Sequence, residues 1–329
     1  MNTQETCSIL DDRYELIKNL GNGFSSQVYL VKDLRDNKEY AAKLFNECGD
    51  DYRNEIEMNK KISEINNSSF VKYKTSSVGF LNQGPKKELT AYIIFEFASK
   101  GNIFSYIRSN GTGLSEKNCK FLFAKILKVV KTLHNFGICH RDLKLENFVF
   151  DGEDFTVKLI DLAFSTVIPL NKYGKKKLVK GGYGTKEYAA PEIYRDDPYN
   201  GEKVDIFSLG VILFTLKTCC YGFKSSKYDP RTNNLEKKLY GFIKEKKYQD
   251  YWNILDKAIN KVGNLSEEFK NLYLRLVAFN PNERPTIEEI YNHEWMKEIR
   301  DLNEEEFKEY ENNLINELNN REEILNKQD

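Results

Sequence analysis

The stretch GICHRDLKLENFVF, residues 137–150, sets His140, Arg141, Asp142, Lys144, Glu146 and Asn147 between apolar residues on both sides. Burying that many charged and polar groups costs several kcal/mol each unless they are paired or bind something. The segment therefore reads as a site rather than a plain loop. Asp142 can accept a proton from an attacking hydroxyl, and Lys144 can neutralise charge on a moving phosphoryl group. Nineteen residues beyond Asp142, VKLIDLAFS places Asp161 after an apolar strand-like run. A lone Asp there is usually a turn residue. Together with Asn147, however, it offers oxygen ligands for Mg²⁺, a hard cation that keeps several waters and bridges phosphates.

Two further signals lie upstream. LGNGFSSQVYLV puts Gly21 and Gly23 between two strand-like runs, where the absence of Cβ atoms lets backbone N–H groups approach phosphates. Taken alone, the pair reads equally well as an ordinary glycine hairpin. YAAKLF places Lys43 in an apolar strand, where its ammonium needs an acidic partner, and Glu55 on the following helix can supply one.

The surrounding segments must hold these groups in place. From YELIKNLG to AYIIFEF the runs are short and β-branched or aromatic, broken at DNKE and NQGPKK, which predicts an antiparallel sheet. One helix interrupts it, YRNEIEMNKKISEI, with Ile56, Met58, Ile62 and Ile65 as its apolar side. Beyond Phe97 the pattern turns helical, as in SEKNCKFLFAKILKVVKTLHNFG, with Ser115 as N-cap and Gly137 as stop. The expected fold class is α+β: a small β-rich lobe with one main helix, then a larger helical lobe. The acidic end of the chain predicts a terminal amphipathic helix with Phe307, Tyr310, Leu314 and Leu318 on one side, serving either to pack on the domain or to regulate it.

Composition narrows the function. The 329 residues include 50 basic and 50 acidic ones, so no net field draws the chain to nucleic acid or an anionic membrane. Six cysteines show no metal-ligand spacing, and vicinal Cys219 and Cys220 read as core thiols of a reducing compartment. The N-terminal residues lack a signal-peptide pattern and no apolar run is long enough to span a bilayer. The expected location is cytoplasmic, with the nucleus as an alternative.

GNGFSSQV, AAK, HRDLKLEN, DLA, AAPE, DIFSLG and NPNERPT stand in one order over residues 12–297, and with that ordered set the chain resembles the eukaryotic protein kinase family. The resemblance implies domains at 1–11 (an extension), 12–97 and 98–297 (the two lobes) and 298–329 (the terminal helix). It implies an ATP- and Mg²⁺-dependent enzyme that phosphorylates proteins. Lys43 would contact phosphates and pair with Glu55, Asp142 would be the base, and Asn147 and Asp161 would bind metal. Leu20, Gly21, Gly23, Val28 and Ala41 would cover the nucleotide and Val149 would lie below it. Glu96 and Ala98 would meet adenine through their backbones, beside Phe95 as gatekeeper. Glu192 and Arg284 would form a buried ion pair.

DLKLEN, together with Thr185 closing the site around Asp142 and Lys144, resembles the serine/threonine type. GVILF and HEWM are similar to the calcium/calmodulin-dependent and AMP-activated branch. No EF-hand loop is present, and the acidic tail lacks the basic face of a calmodulin target. The implied partners are protein substrates. Glu146 is either a contact for a substrate arginine or a solvated loop carboxylate.

Four positions depart from the pattern: Ser26 for a third glycine, Ala163 in DLA, Asn59 where an apolar residue usually stacks beneath the helix, and Phe207 for tryptophan. The first three leave open a second reading, a scaffold that uses the fold without catalysis. Finally, Gly181 occupies the usual place of a phosphorylated residue and has no hydroxyl. Catalysis is therefore expected to proceed without serine or threonine phosphorylation of the loop, leaving control to Tyr183, the tail or a partner.

Overall fold

A computed structural model describes residues 8–327 apart from 24, 66, 183, 196, 224–234 and 260–264; Tyr183 thus lies outside the described residues. The chain divides into two compact units, one of Met1–Lys100 with Phe150–Phe164, the other of Gly101–Val149 with Ser165–Asp329.

In the first unit, strands β1 (Ser8–Leu10), β2 (Tyr14–Asn22), β3 (Ser26–Asp33), β4 (Glu39–Phe45), β5 (Tyr73–Gln83) and β6 (Lys86–Glu96) close a barrel in the order β1-β2-β3-β4-β6-β5. The turns fall where DNKE and NQGPKK stand, and Gly84 takes a left-handed φ of 60° in the second. Leu10, Tyr14, Val31, Ala42, Leu44, Leu81, Tyr92 and Ile94 form the barrel core. Because strand side chains alternate, Ala42 and Leu44 inside require Lys43 to project from the other face. The fold reaches back to Ser8: Leu10 is fully buried and β1 pairs with both β2 and β5. The resemblance set residues 1–11 apart as an extension, since its motifs begin only at GNGFSSQV.

Helix α1 (Asp50–Ser63) has no side-chain N-cap, but Asp50 and Asp51 in its first turn and Lys60 and Lys61 in its last complement its dipole. Tyr52 docks it, with an edge-to-face ring contact to Phe45 at 5.1 Å and a hydroxyl donated to the Ser77 carbonyl. Its buried face is Tyr52, Glu55, Met58, Asn59 and Ile62, while Ile56 is half-buried and Ile65 lies beyond the helix end. The face is therefore polar at its centre, because it presents Glu55 to Lys43.

The second unit contains α2 (Ile103–Arg108), α3 (Glu116–Asn135), α4 (Gly201–Thr218), α5 (Leu235–Lys244), α6 (Tyr248–Ile259), α7 (Glu267–Leu276), α8 (Ile287–Tyr291), α9 (Lys297–Arg300) and α10 (Glu304–Leu325). Ser115 caps α3 through the Asn118 N–H, and Gly137 follows its end at φ 68°. Helix α4 is apolar all round and buried along almost its whole length, as expected of a central helix. Phe207 on it is fully buried, against Phe223 and Tyr240, with the Arg284 guanidinium 5.0 Å from its ring. Helix α10 opens with a capping box of Asn303 and Glu306 and buries Tyr310, Leu314 and Leu318 on α2 and α3. Phe307 is half exposed, yet its ring meets Phe121 at 5.0 Å. Among the described residues no helix is long and apolar enough to cross a membrane.

Candidate active site

In the first unit, Lys43 is buried and its ammonium sits 2.7 Å from Glu55 Oε2 and 2.8 Å from Asp161 Oδ1. Burial works against that charge, but the Asp161 and Glu55 carboxylates outweigh it and hold the ammonium above its ordinary pKa. Burial pushes the Glu55 carboxyl up to about 7, against the pull of Lys43. Its Oε1 has no hydrogen-bond partner among the described residues. Asn59 donates back to the Glu55 carbonyl within α1 at 2.8 Å, so its amide is satisfied inside the helix and Glu55 stays turned toward Lys43. The Ala163 carbonyl receives the Asn54 side-chain amide at 2.7 Å, which ties DLA to α1. Asp161 has a left-handed φ of 61°, a conformation rare outside glycine that concentrates at functional sites.

The glycine turn joins β2 to β3, with Gly21 opposite Val28 and the Gly23 N–H donated to the Ser26 carbonyl at 2.7 Å. A Cβ on Gly21 would meet nothing within 4 Å, so the fold itself does not demand glycine there. Ser26 is buried beside Gly23, and Leu20 is exposed. Val28 and Ala41 are half-buried on β3 and β4, and Phe95 is buried against Tyr73. Glu96 ends β6 and gives its N–H to the Lys72 carbonyl, so any contact it makes with a base runs through its own carbonyl. Its side chain pairs with Lys158 at 2.8 Å, and half-buried Ala98 follows in the loop.

In the second unit, the Lys144 ammonium lies 2.9 Å from Asp142 Oδ2 and 2.8 Å from Thr185 Oγ1, while the Thr185 N–H meets Asp142 Oδ1 at 2.6 Å. Asn147 donates its amide to the Asp142 carbonyl at 2.9 Å, which leaves its side-chain oxygen as the atom able to ligate a cation. Val149 is buried just beyond. The loop hangs on Asp205, fully buried in α4, whose carboxylate accepts the backbone N–H groups of His140 and Arg141 and meets the His134 ring, each at 2.8 Å. The His140 ring accepts the Asp142 N–H at 3.2 Å. Glu146 is half-buried and receives the Tyr188 hydroxyl at 3.2 Å; burial raises its carboxyl above the ordinary value.

Arg141 Nη1 donates to the carbonyls of Lys180 and Gly181, both at 2.8 Å. The Tyr199 hydroxyl also reaches the Gly181 carbonyl, and Val179 pairs with Tyr199 through both backbone groups. Gly182 holds a left-handed φ of 82°, which favours glycine, and at Gly184, φ 58°, a Cβ would lie 2.8 Å from the Arg141 carbonyl oxygen.

The structure thus gathers Lys43, Glu55 and Asp161 in one group and Asp142, Lys144, Asn147 and Thr185 in another. Asp205, His134 and Asn54 were missed by sequence reasoning. DIFSLG carried Asp205 in plain view, but nothing local ties it to residues 65 positions earlier. Glu192 and Arg284 do form a bidentate pair at 2.5 and 2.8 Å.

The chain belongs to the protein kinase family, whose protein kinase domain matches residues 14–296. It is similar to Serine/threonine-protein kinase SRK2C of Arabidopsis thaliana, 31% identical over 86% of this chain and 75% of the relative. It is also similar to Serine/threonine-protein kinase SRK2A of Physcomitrium patens, 30% identical over 86% and 74%. A third relative, the SNF-related serine/threonine-protein kinase of Homo sapiens, is 29% identical over 87% of this chain and 34% of its own length. Within the family, the chain is a kinase of the serine/threonine type.

Proposed function

We propose that the chain transfers the γ-phosphoryl group of ATP, with Mg²⁺, to serine or threonine hydroxyls of proteins. The observation that carries this reading is the Lys144 ammonium fixed between Asp142 and Thr185. Asp142 takes the proton of the acceptor hydroxyl as it attacks, and Lys144 offsets the charge shifting onto the transferred group. Thr185 holds both in register through its N–H and hydroxyl.

Lys43 holds the nucleotide phosphates, with its ammonium kept charged by Glu55 and Asp161. Among the described residues no three His, Cys, Asp or Glu side chains cluster to cage a metal. Mg²⁺ leans on phosphates and waters and needs few protein ligands; the family resemblance implies that Asn147 of the second unit and Asp161 of the first would each offer it an oxygen. When bound, the ion neutralises phosphate charge. The family resemblance implies that Leu20, Gly21, Gly23, Val28, Ala41, Glu96 and Ala98 of the first unit, and Val149 of the second, would contact the rest of the nucleotide.

The same geometry supports activity without a loop phosphate, because two main-chain carbonyls already hold Arg141 through Nη1. The test is ATP/Mg²⁺ phosphotransfer to protein and peptide acceptors by wild type, Asp142→Asn and Asp161→Asn. Transfer by wild type that falls at least about 100-fold in both variants is expected; equal rates in all three would overturn the reading.

A further inference from the structure

Between Leu162 and Lys186 the chain carries no carboxylate and six lysines: Lys172, Lys175, Lys176, Lys177, Lys180 and Lys186, all exposed. Lys176 pairs with Glu202 at 2.5 Å. Among the described residues the other five have no carboxylate within ion-pair reach. These lysines stand on a built hairpin. The Lys177 N–H meets the Pro169 carbonyl at 2.7 Å, the Asn171 N–H meets the Lys175 carbonyl at 2.9 Å, and Asn171 Oδ1 accepts from the Tyr173 and Lys175 amides. Leu170, Tyr173 and Leu178 stand out along it, 59%, 74% and 55% exposed, an apolar content unusual for a surface turn that covers nothing.

This surface is tied to the acceptor end of the site. Arg141, next to Asp142, grips the Lys180 carbonyl, and Lys186 directly follows Thr185, whose N–H meets Asp142. Lys180 stands five positions before Thr185, at most about 18 Å of extended chain. A polypeptide presenting a hydroxyl to Asp142 therefore passes within reach of several unneutralised ammonium groups. The catalytic loop offers a substrate cation little in return, since Glu146 is half-buried and receives the Tyr188 hydroxyl. Concentrated charge of one sign on a chain with no net charge marks a local complement for the opposite sign.

We propose that the lysine hairpin is the substrate-docking surface and selects acceptor sites flanked by aspartate and glutamate, its exposed Leu170, Tyr173 and Leu178 meeting apolar residues between those acids. This rests on the protein kinase reading above. Phosphates of a nucleic acid would also suit the lysines, but the position beside Asp142 and Thr185 favours the polypeptide that is phosphorylated.

The experiment compares three serine peptides of one backbone sequence, flanked by Glu and Asp, by Gln and Asn, or by Arg and Lys. Wild type should show kcat/KM at least about tenfold higher for the acidic than for the basic peptide, with the advantage in KM and shrinking as salt rises. In Lys175→Glu/Lys177→Glu/Lys180→Glu the ratio should fall below one. In the triple Gln variant, which keeps side-chain length without charge, it should lie between the two. Melting curves confirm that both variants fold. Absence of transfer to every peptide by wild type would refute the kinase reading itself. Transfer with no acidic preference, or a ratio that neither variant moves, would overturn the docking proposal alone. So would inhibition by single-stranded RNA that both variants lose while peptide preference stays flat, which would give the lysines to nucleic acid.

Discussion

Two of the molecule's buried charge clusters have a similar make-up and an opposite finish. Around Arg284 every guanidinium nitrogen has an acceptor: Nη1 and Nη2 go to Glu192, Nη1 also meets the Lys203 carbonyl, and Nε meets the Ala278 carbonyl. Around Lys43 a compact ammonium is shared by two carboxylates, and Glu55 Oε1 is left without a partner among the described residues. A planar fork matched to a carboxylate is a permanent fastening. A point charge with surplus acceptors is an arrangement that can be rewired when phosphates arrive. These two buried ion pairs thus carry different duties, and the unpartnered oxygen of Glu55 separates them.

That contrast breaks most visibly by removing each cation. Lys43→Met should cut phosphotransfer by about 100- to 1,000-fold while shifting Tm by only a few degrees, because Glu55, already raised toward about 7, can take up a proton and shed its charge. Arg284→Met leaves Glu192 buried in a site built for a charge, a loss of about 3–5 kcal/mol, or roughly 6–20 °C at about 2–4 °C per kcal/mol. Calorimetry beside a kinase assay reads both; a Tm loss in Lys43→Met as large as in Arg284→Met would erase the distinction.

Asp205→Asn sharpens the contrast, since this carboxylate is fully satisfied like the Arg284 cluster yet serves the catalytic loop. Its amide would set donor against donor at His140 or Arg141, and kcat should fall about tenfold or more, with Tm lowered by about 1–3 kcal/mol equivalent. A change in KM for nucleotide with kcat intact would contradict that role.

Gly182→Val probes the phosphate-free anchoring of Arg141. It should slow turnover several-fold, whereas wild type co-expressed with a serine/threonine phosphatase, its loop shown unmodified by mass spectrometry, should keep its rate. A drop of about tenfold, roughly 1.4 kcal/mol in the barrier, that tracks loss of phosphate from Ser165, Thr166 or Thr185 would refute the expectation. The smallest effect is expected for Arg321→Ala, about 1–3 kcal/mol of stability. Arg321 is buried and donates to Asn110 Oδ1 and the carbonyls of Thr112 and Gly113, each at 3.0 Å.

Much of this was legible in the sequence because the site's motifs are compact: HRDLKLEN alone supplies Asp142, Lys144 and Asn147. Strand and helix boundaries followed from turn residues and caps, as at Ser115 and Gly137. What escaped was long-range and polar. Asp205 works through backbone amides that have no side-chain identity, and Asn54 through the carbonyl of Ala163. Asn59 read as a weakness because an amide on a buried helix face has no visible partner in one dimension; its partner is the carbonyl one turn back. Arg321 follows no motif and sits among acidic residues in the sequence, yet its guanidinium is buried against segment 106–113.

That last contact reaches back across 208 residues, from Arg321 to Gly113. On a ribosome adding about 5–20 residues per second, the carbonyls of Thr112 and Gly113 emerge roughly 10–40 s before the side chain that will bind them. Throughout that interval only water can satisfy them, and α2 and α3 present the apolar bed of Tyr310, Leu314 and Leu318 uncovered. The second unit is therefore finished late in synthesis, with its first helices waiting on α10, and a nascent chain stalled before Arg321 should be the species that chaperones hold.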